Sequence, residues 1–139
     1  MNKVLFVCIH NSARSQMAEA YLNKFGEGKA TAESAGLEPG NLNPLVVKVM
    51  AEDGIDISGN KTKSVFDFFK EGRLFSHVVA VCDAEAAERC PIFPGTGKKL
   101  HWPFKDPSKA EGTEEEKLVQ IRAIRDEIRE KVKEFLATL

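Results

Sequence analysis

The sequence predicts an α/β fold: an open four-stranded parallel sheet flanked by helices on both faces. Three observations predict it. Short apolar runs alternate with segments of helical periodicity, polar loops join them, and the chain ends in a long amphipathic stretch. Strands separated by helices make right-handed crossovers, and a parallel sheet so built is covered on both faces.

Val4 to Cys8 (VLFVC) is a short apolar run that reads as a buried strand, and a polar loop leads from it into a helix over Ser15 to Phe25. Lys29 to Ser34 alternates weakly and ends at Ala35-Gly36, giving a second strand. Asn43 to Glu52 (NPLVVKVMAE) opens with an Asn cap and a Pro at the first helical position, where its missing N–H has no partner to lose. Ser64 to Leu74 carries Val65, Phe68, Phe69 and Leu74 at helical spacing, and His77 to Val81 (HVVAV) reads as a third buried strand ending at Cys82. Lys99 to Trp102 suits a fourth short strand. Thr113 to Leu139 is a long helix with Leu118, Ile121, Ile124, Ile128, Val132, Phe135 and Leu139 on one stripe, opened by a Thr113/Glu116 capping box.

The chain has 139 residues, which suits one domain spanning 1–139. Its 20 Lys and Arg oppose 21 Asp and Glu, a net charge of −1, so no global positive field favours nucleic acid or an anionic membrane. Any anion site must be local. The apolar run from Val4 to Ile9 is too short for a signal-peptide core or a membrane span. A cytoplasmic monomer is expected, with neither nucleic acid nor membrane as partner. Three cysteines, Cys8, Cys82 and Cys90, are too few for a secreted disulfide scaffold and should begin as thiols.

Ligands of open α/β sheets bind outside the carboxyl ends of the strands, where the predicted strands place Cys8 and Cys82. Cys8-Ile9-His10-Asn11-Ser12-Ala13-Arg14-Ser15 sets a Cys and an Arg six positions apart between a strand and a helix. Successive N–H groups of such a loop can converge on a tetrahedral oxyanion, the helix terminus adds positive potential, and Arg14 offers a forked donor. The same field, with a hydrogen bond from Ser15, stabilises a thiolate at Cys8 and makes it a nucleophile. A bare Cys-x5-Arg is common by chance; the strand–loop–helix context is what favours a site. His10 is expected to tolerate an unusual backbone angle and Asn11 to brace the loop.

Cys8-x-x-Asn11-x-x-Arg14-Ser15 resembles the signature loop of the low-molecular-weight protein tyrosine phosphatase fold. SQMAEA (Ser15 to Ala20), SAG (Ser34 to Gly36), GIDIS (Gly54 to Ser58), HWPFKDP (His101 to Pro107) and GTEEEK (Gly112 to Lys117) resemble more particularly the thioredoxin-coupled arsenate reductases built on it. The resemblance covers nearly the whole chain. It implies reduction of arsenate to arsenite, with Cys8 attacking arsenic and residues 8–14 cradling its oxygens. Phosphate and sulfate would then compete. It also implies that Cys82 attacks next, forming a Cys8–Cys82 disulfide, and that Cys90 then takes over the bond to Cys82 and passes it to thioredoxin. No bound cofactor is expected.

A leaving oxygen departs more easily when protonated. Asp106, biased towards a turn by Pro107, is the candidate donor, and the resemblance assigns the general acid there; Asp67, Asp83 and Asp126 are ranked below it. The intervening DAEAAER (Asp83 to Arg89) is a strong helix former that Pro91 would stop. Eight helical steps span roughly 12 Å, against about 7 Å for the Cα atoms of a disulfide, so a helix here must loop out on oxidation.

Some members of the resembled family hold potassium with residues that align with Asn11, Glu19 and Ser34, but their remaining carboxylate aligns with Ser64, so no potassium site is expected. The segment between Cys82 and Cys90 is one residue longer than in those reductases. Ser108 and Lys109 follow Asp106-Pro107 where the phosphatases have aromatic residues, favouring a small inorganic substrate. Two other readings stay open: a phosphatase using Cys8, Arg14 and Asp106 alone, and a noncatalytic redox or oxyanion sensor. A zinc site from Cys82, Cys90 and His101 matches no common ligand spacing, so no metal is expected.

Overall fold

The computed structural model describes residues 2–82 and 97–139. Its elements follow in chain order: β1 (Asn2–Cys8), α1 (Arg14–Phe25), β2 (Ala30–Gly36), α2 (Pro44–Glu52), α3 (Val65–Lys70), β3 (His77–Ala80), β4 (Lys98–His101), a 3-10 turn (Pro107–Lys109) and α4 (Glu114–Ala137). The strands form one sheet in the order β2-β1-β3-β4, every pair parallel. β1 is therefore central. The chain leaves it for β2 on one side and returns to β3 on the other, which makes its carboxyl end a topological switch point. Cys8 pairs with Gly36 there, and Cys82 follows two residues after the last residue of β3.

Alternation along β1 divides the core. Val4, Phe6 and Cys8 join α1, α2 and α4 in the larger cluster, while Leu5 and Val7 face Val65 and Phe68 of α3. Cys82 belongs to the same cluster as Cys8. The expected stripe of α4 is buried from Leu118 to Phe135, and the Thr113/Glu116 capping box is present. No helix among the described residues is long and apolar enough to cross a membrane.

The strand boundaries shift by one or two residues from expectation, and two helix ends differ as well. The third helix stops at Lys70, leaving Phe69 and Leu74 exposed at 58% and 78%. Gly72, at φ 70°, turns the chain left-handed, and the Gly72 and Arg73 amides close back on Phe69 and Phe68. α4 ends at Ala137, with Leu139 beyond it packing against the core. The helix expected over Asp83 to Arg89, its stop at Pro91, and Cys90 lie outside the described residues.

An ion cluster that periodicity does not reveal ties α4 to α2 and α1. Arg122 makes a forked contact with Glu52, buried Arg125 bonds Val49 O and Glu52, and Arg129 reaches Asp53, which also accepts from Tyr21 Oη. The bonds from Arg122 hold the Glu52 carboxyl at about 2. Burial, reinforced by Asp53, pushes the Tyr21 hydroxyl far up.

Candidate active site

The loop from Cys8 to Arg14 leaves the central strand and enters α1 with its carbonyls tied off. Leu37 N donates to Cys8 O, Glu38 N to Ile9 O, Gly40 N to His10 O and Asn43 N to Ser12 O. Gln16 Nε2 takes Asn11 O at 3.2 Å, and Met17 N takes Ala13 O at 3.0 Å. In a trans peptide the N–H runs opposite to the C=O, and the described chain has no cis bond. Holding these six carbonyls turns the N–H groups of Ile9, His10, Asn11, Ser12, Ala13 and Arg14 the other way. Ala13 at the cap position of α1 carries no side-chain acceptor, so the first-turn amides keep their positive end for an anion.

Cys8 lies at the base of this arrangement, 3% exposed and a free thiol. Asn11 N–H donates to its sulfur at 3.0 Å, and Ser15 Oγ lies 2.9 Å from it. Ser15 Oγ accepts from Asn11 Nδ2 at 2.7 Å, which leaves the hydroxyl proton for the sulfur. Both groups are thus placed to donate to the sulfur. Gly36 lets the loop come this close: a Cβ there would stand 2.7 Å from Ile9 O and 2.9 Å from Asn11 N.

Arg14, buried at 6%, donates through Nη1 to Phe104 O at 3.1 Å, and its Nη2 stands 3.7 Å from Asp106 Oδ2. Asp106 caps the 3-10 turn, its Oδ1 accepting from Ser108 N and Oγ at 2.9 and 2.8 Å. Burial pushes the Asp106 carboxyl up, but the Ser108 bonds, with Arg14 and Lys109, outweigh it and hold the group below its ordinary value.

The expected pairing of Cys8, Asn11, Arg14, Ser15 and Asp106 is thus present in one place. Ile9 and Ala13 are buried, Ser12 is half-buried and His10 is exposed. His10 does not carry the unusual backbone angle; the described non-glycine residue with positive φ is Asn11, at 54°. His10 Nδ1 donates instead to Glu38 O at 3.0 Å. Cys82, expected as a thiol, is instead disulfide-bonded; it is fully buried, and His101 Nε2 donates to its carbonyl at 2.9 Å. Of the lower-ranked acids, Asp67 is exposed on the outer side of α3, Asp126 is paired with Arg125 and Arg129, and Asp83 lies outside the described residues.

Sequence reasoning missed Gln16, Asn60, Lys63 and Ser108. The available signal was a Gln in the first turn of a helix at a position that turns inward; its partners Lys61 and Asn60 lie more than 40 residues away and have no local signature.

The oxygens aligned with those of the resembled potassium site have protein partners here. Glu19 Oε1 already accepts from Lys63 Nζ at 3.0 Å and from Ser34 Oγ at 3.1 Å. Asn11 Oδ1 accepts from Gln16 Nε2 and Lys63 N, and Ser64 Oγ caps α3. The cation beside Glu19 is a lysine ammonium.

Comparison with known proteins agrees with this geometry. The family model for low molecular weight phosphotyrosine protein phosphatase matches residues 3–139. A curated arsenate reductase of Bacillus subtilis (strain 168) is 44% identical over 140 residues, covering 99% of this chain and 97% of its own. The solved structure of an arsenate reductase in the phosphate binding state superposes with a TM-score of 0.80 at 30% identity, covering 99% and 98% of the two chains. A thioredoxin-dependent arsenate reductase of Corynebacterium glutamicum gives 0.61 at 27% identity, covering 96% of this chain and 62% of that one. By its loop, its sheet order and these likenesses, the chain belongs to the low molecular weight phosphotyrosine protein phosphatase family.

Proposed function

We propose that the protein reduces arsenate to arsenite through thiol chemistry, with thioredoxin as the external reductant, and that the whole chain forms one domain acting as a cytoplasmic monomer. The observation that carries this reading is the Cys8 sulfur held by two donors at the base of a loop whose six carbonyls are tied outward. The curated relatives bearing the name arsenate reductase support the substrate, and the thioredoxin-dependent relative supports the reductant.

In this mechanism the amides of residues 9–14 and the Arg14 fork hold the arsenate oxygens. The Cys8 thiolate attacks arsenic and an As–O bond breaks, the leaving oxygen taking a proton from Asp106. Once the disulfide that holds Cys82 in this structure has been reduced, the Cys82 thiolate attacks the Cys8 sulfur. A disulfide forms between them, the S–As bond breaks, and its electron pair stays on arsenic, which leaves as arsenite. The Cys90 thiolate attacks Cys82 and releases Cys8, and a thioredoxin dithiol reduces the Cys82–Cys90 disulfide. Cys8 and Cys82 on one core cluster support the second step. Phosphate and sulfate compete for the same loop.

The test is NADPH oxidation in a mixture of the protein, thioredoxin and thioredoxin reductase. Arsenate should start steady turnover. No oxidation above the arsenate-free background would sink the proposal and favour a phosphatase or a sensor.

A further inference from the structure

Five of the six loop carbonyls accept from backbone amides, which no side-chain substitution removes; the sixth, Asn11 O, accepts from a side chain. Its donor, Gln16, is fully buried. Gln16 Nε2 also lies 3.0 Å from Asn11 Oδ1 and 3.0 Å from Lys61 O, and Gln16 Oε1 accepts from Asn60 Nδ2 at 3.1 Å. The segment carrying these partners holds the loop at one further point, Lys63 N on Asn11 Oδ1, while Thr62 Oγ1 donates to the carbonyl of Gly40, whose amide is on His10 O.

Asn11 carries the left-handed angle of the loop, a conformation that an L residue keeps only where its surroundings hold it. The peptide after it has its carbonyl on Gln16 and its N–H, that of Ser12, on the opposite side. The peptide before it sends its N–H to Cys8 Sγ. We propose that Gln16 is a positioning residue for oxyanion binding: clamped by the 60–63 segment, it fixes the Asn11–Ser12 peptide so that an N–H, and not a carbonyl, faces the anion. Without its amide the peptide can turn over and present a carbonyl dipole to the bound oxygens, and the Asn11 N–H moves off the sulfur. This rests on the loop being an oxyanion cradle and is independent of whether arsenic or phosphorus is attacked.

The probe is inorganic phosphate, read by calorimetry and by protection of Cys8 from iodoacetamide in a C82S/C90S background, where Cys8 is the remaining thiol. Gln16→Met keeps the volume and removes the donor. Its phosphate affinity should fall about tenfold, the order of one hydrogen bond to a charged acceptor, and Cys8 alkylation should slow at mildly acidic pH while recovering at alkaline pH. Asn60→Ala, which leaves Gln16 in place, should give a smaller loss in the same direction. Variants that keep wild-type phosphate affinity and alkylation, whatever their melting temperature, overturn the proposal and make Gln16 a packing residue. If Gln16→Met does not fold, Asn60→Ala decides by the same two readouts. Wild-type protein that binds no phosphate overturns the cradle itself, an outcome distinct from a failure of arsenate reduction with phosphate binding intact.

Discussion

The Arg14 guanidinium stands 3.7 Å from the Asp106 carboxylate, so the anion-binding cation and the proposed proton donor already face each other. An arriving oxyanion would compete for Arg14 and place negative charge beside Asp106. Both changes raise the affinity of that carboxyl for a proton. The group held below its ordinary value in the free protein therefore carries its proton more readily as substrate binds.

Asp106→Asn should lower kcat for arsenate by about 10²- to 10⁴-fold, the usual weight of a positioned proton donor, while phosphate affinity is kept or improved. Ser108→Ala removes the hydroxyl that helps lower the Asp106 carboxyl. Its protonated form should then persist to higher pH, and the alkaline limb of the kcat/KM profile should move upward. A limb that stays in place would show that another group donates the proton.

Cys82→Ser should abolish thioredoxin-coupled arsenate reduction and leave hydrolysis of an aryl phosphate, which needs Cys8, Arg14 and Asp106 alone. Loss of both activities, with the fold intact by circular dichroism, would place Cys82 in the loop's structure and not in electron transfer.

Gly36→Ala should cripple the site without unfolding the chain. The added Cβ meets backbone on Ile9 and Asn11 and no flexible side chain, so the loop must yield. Overpacking of this kind is worth about 1–3 kcal/mol, and phosphate titration with a thermal melt would divide that cost between function and stability.

Exchanging potassium for sodium at matched ionic strength should leave turnover unchanged, because Lys63 Nζ already lies on Glu19 Oε1. Lys63→Met strands a mostly buried carboxylate against Ser34; it should lose about 1 kcal/mol of stability and acquire a response to monovalent cations. Potassium dependence in the wild type would refute the assignment.

Stability should fall in acid through the α2–α4 ion cluster. Glu52 has an ordinary value of 4.5 and is held at about 2 in the fold, so its contribution is complete above the higher value and fades as pH drops towards the lower. Glu52→Gln should flatten the dependence of melting temperature on pH in that window. Added salt should shrink the effect, since the carboxylate is exposed.

Local chemistry made much of this legible. VLFVC and HVVAV identify their strands as short apolar runs rich in β-branched residues, the apolar stripe of α4 identifies its helix by period, and Cys8 with Arg14 marks the loop because both belong to one strand–loop–helix unit. Phe69 and Leu74 misled because a helical spacing continues past Gly72, where the backbone turns left-handed. His10 and Asn11 tolerate positive φ about equally as residue types; what selects Asn11 is the need to send its N–H to Cys8 and its carbonyl to Gln16. Contacts such as Gln16 with Asn60 or Arg125 with Val49 join residues 44 and 76 positions apart, and no window of sequence contains them.

β1 runs between two hydrogen-bonded neighbours along most of its length. To expose Val4 to Val7, both ladders must open together, so the amide protons of this strand should be among the slowest in the molecule to exchange with deuterium. The sulfur thus rides on the part of the protein that breathes least, and changes at the rim of the sheet can accumulate with little effect on where it sits.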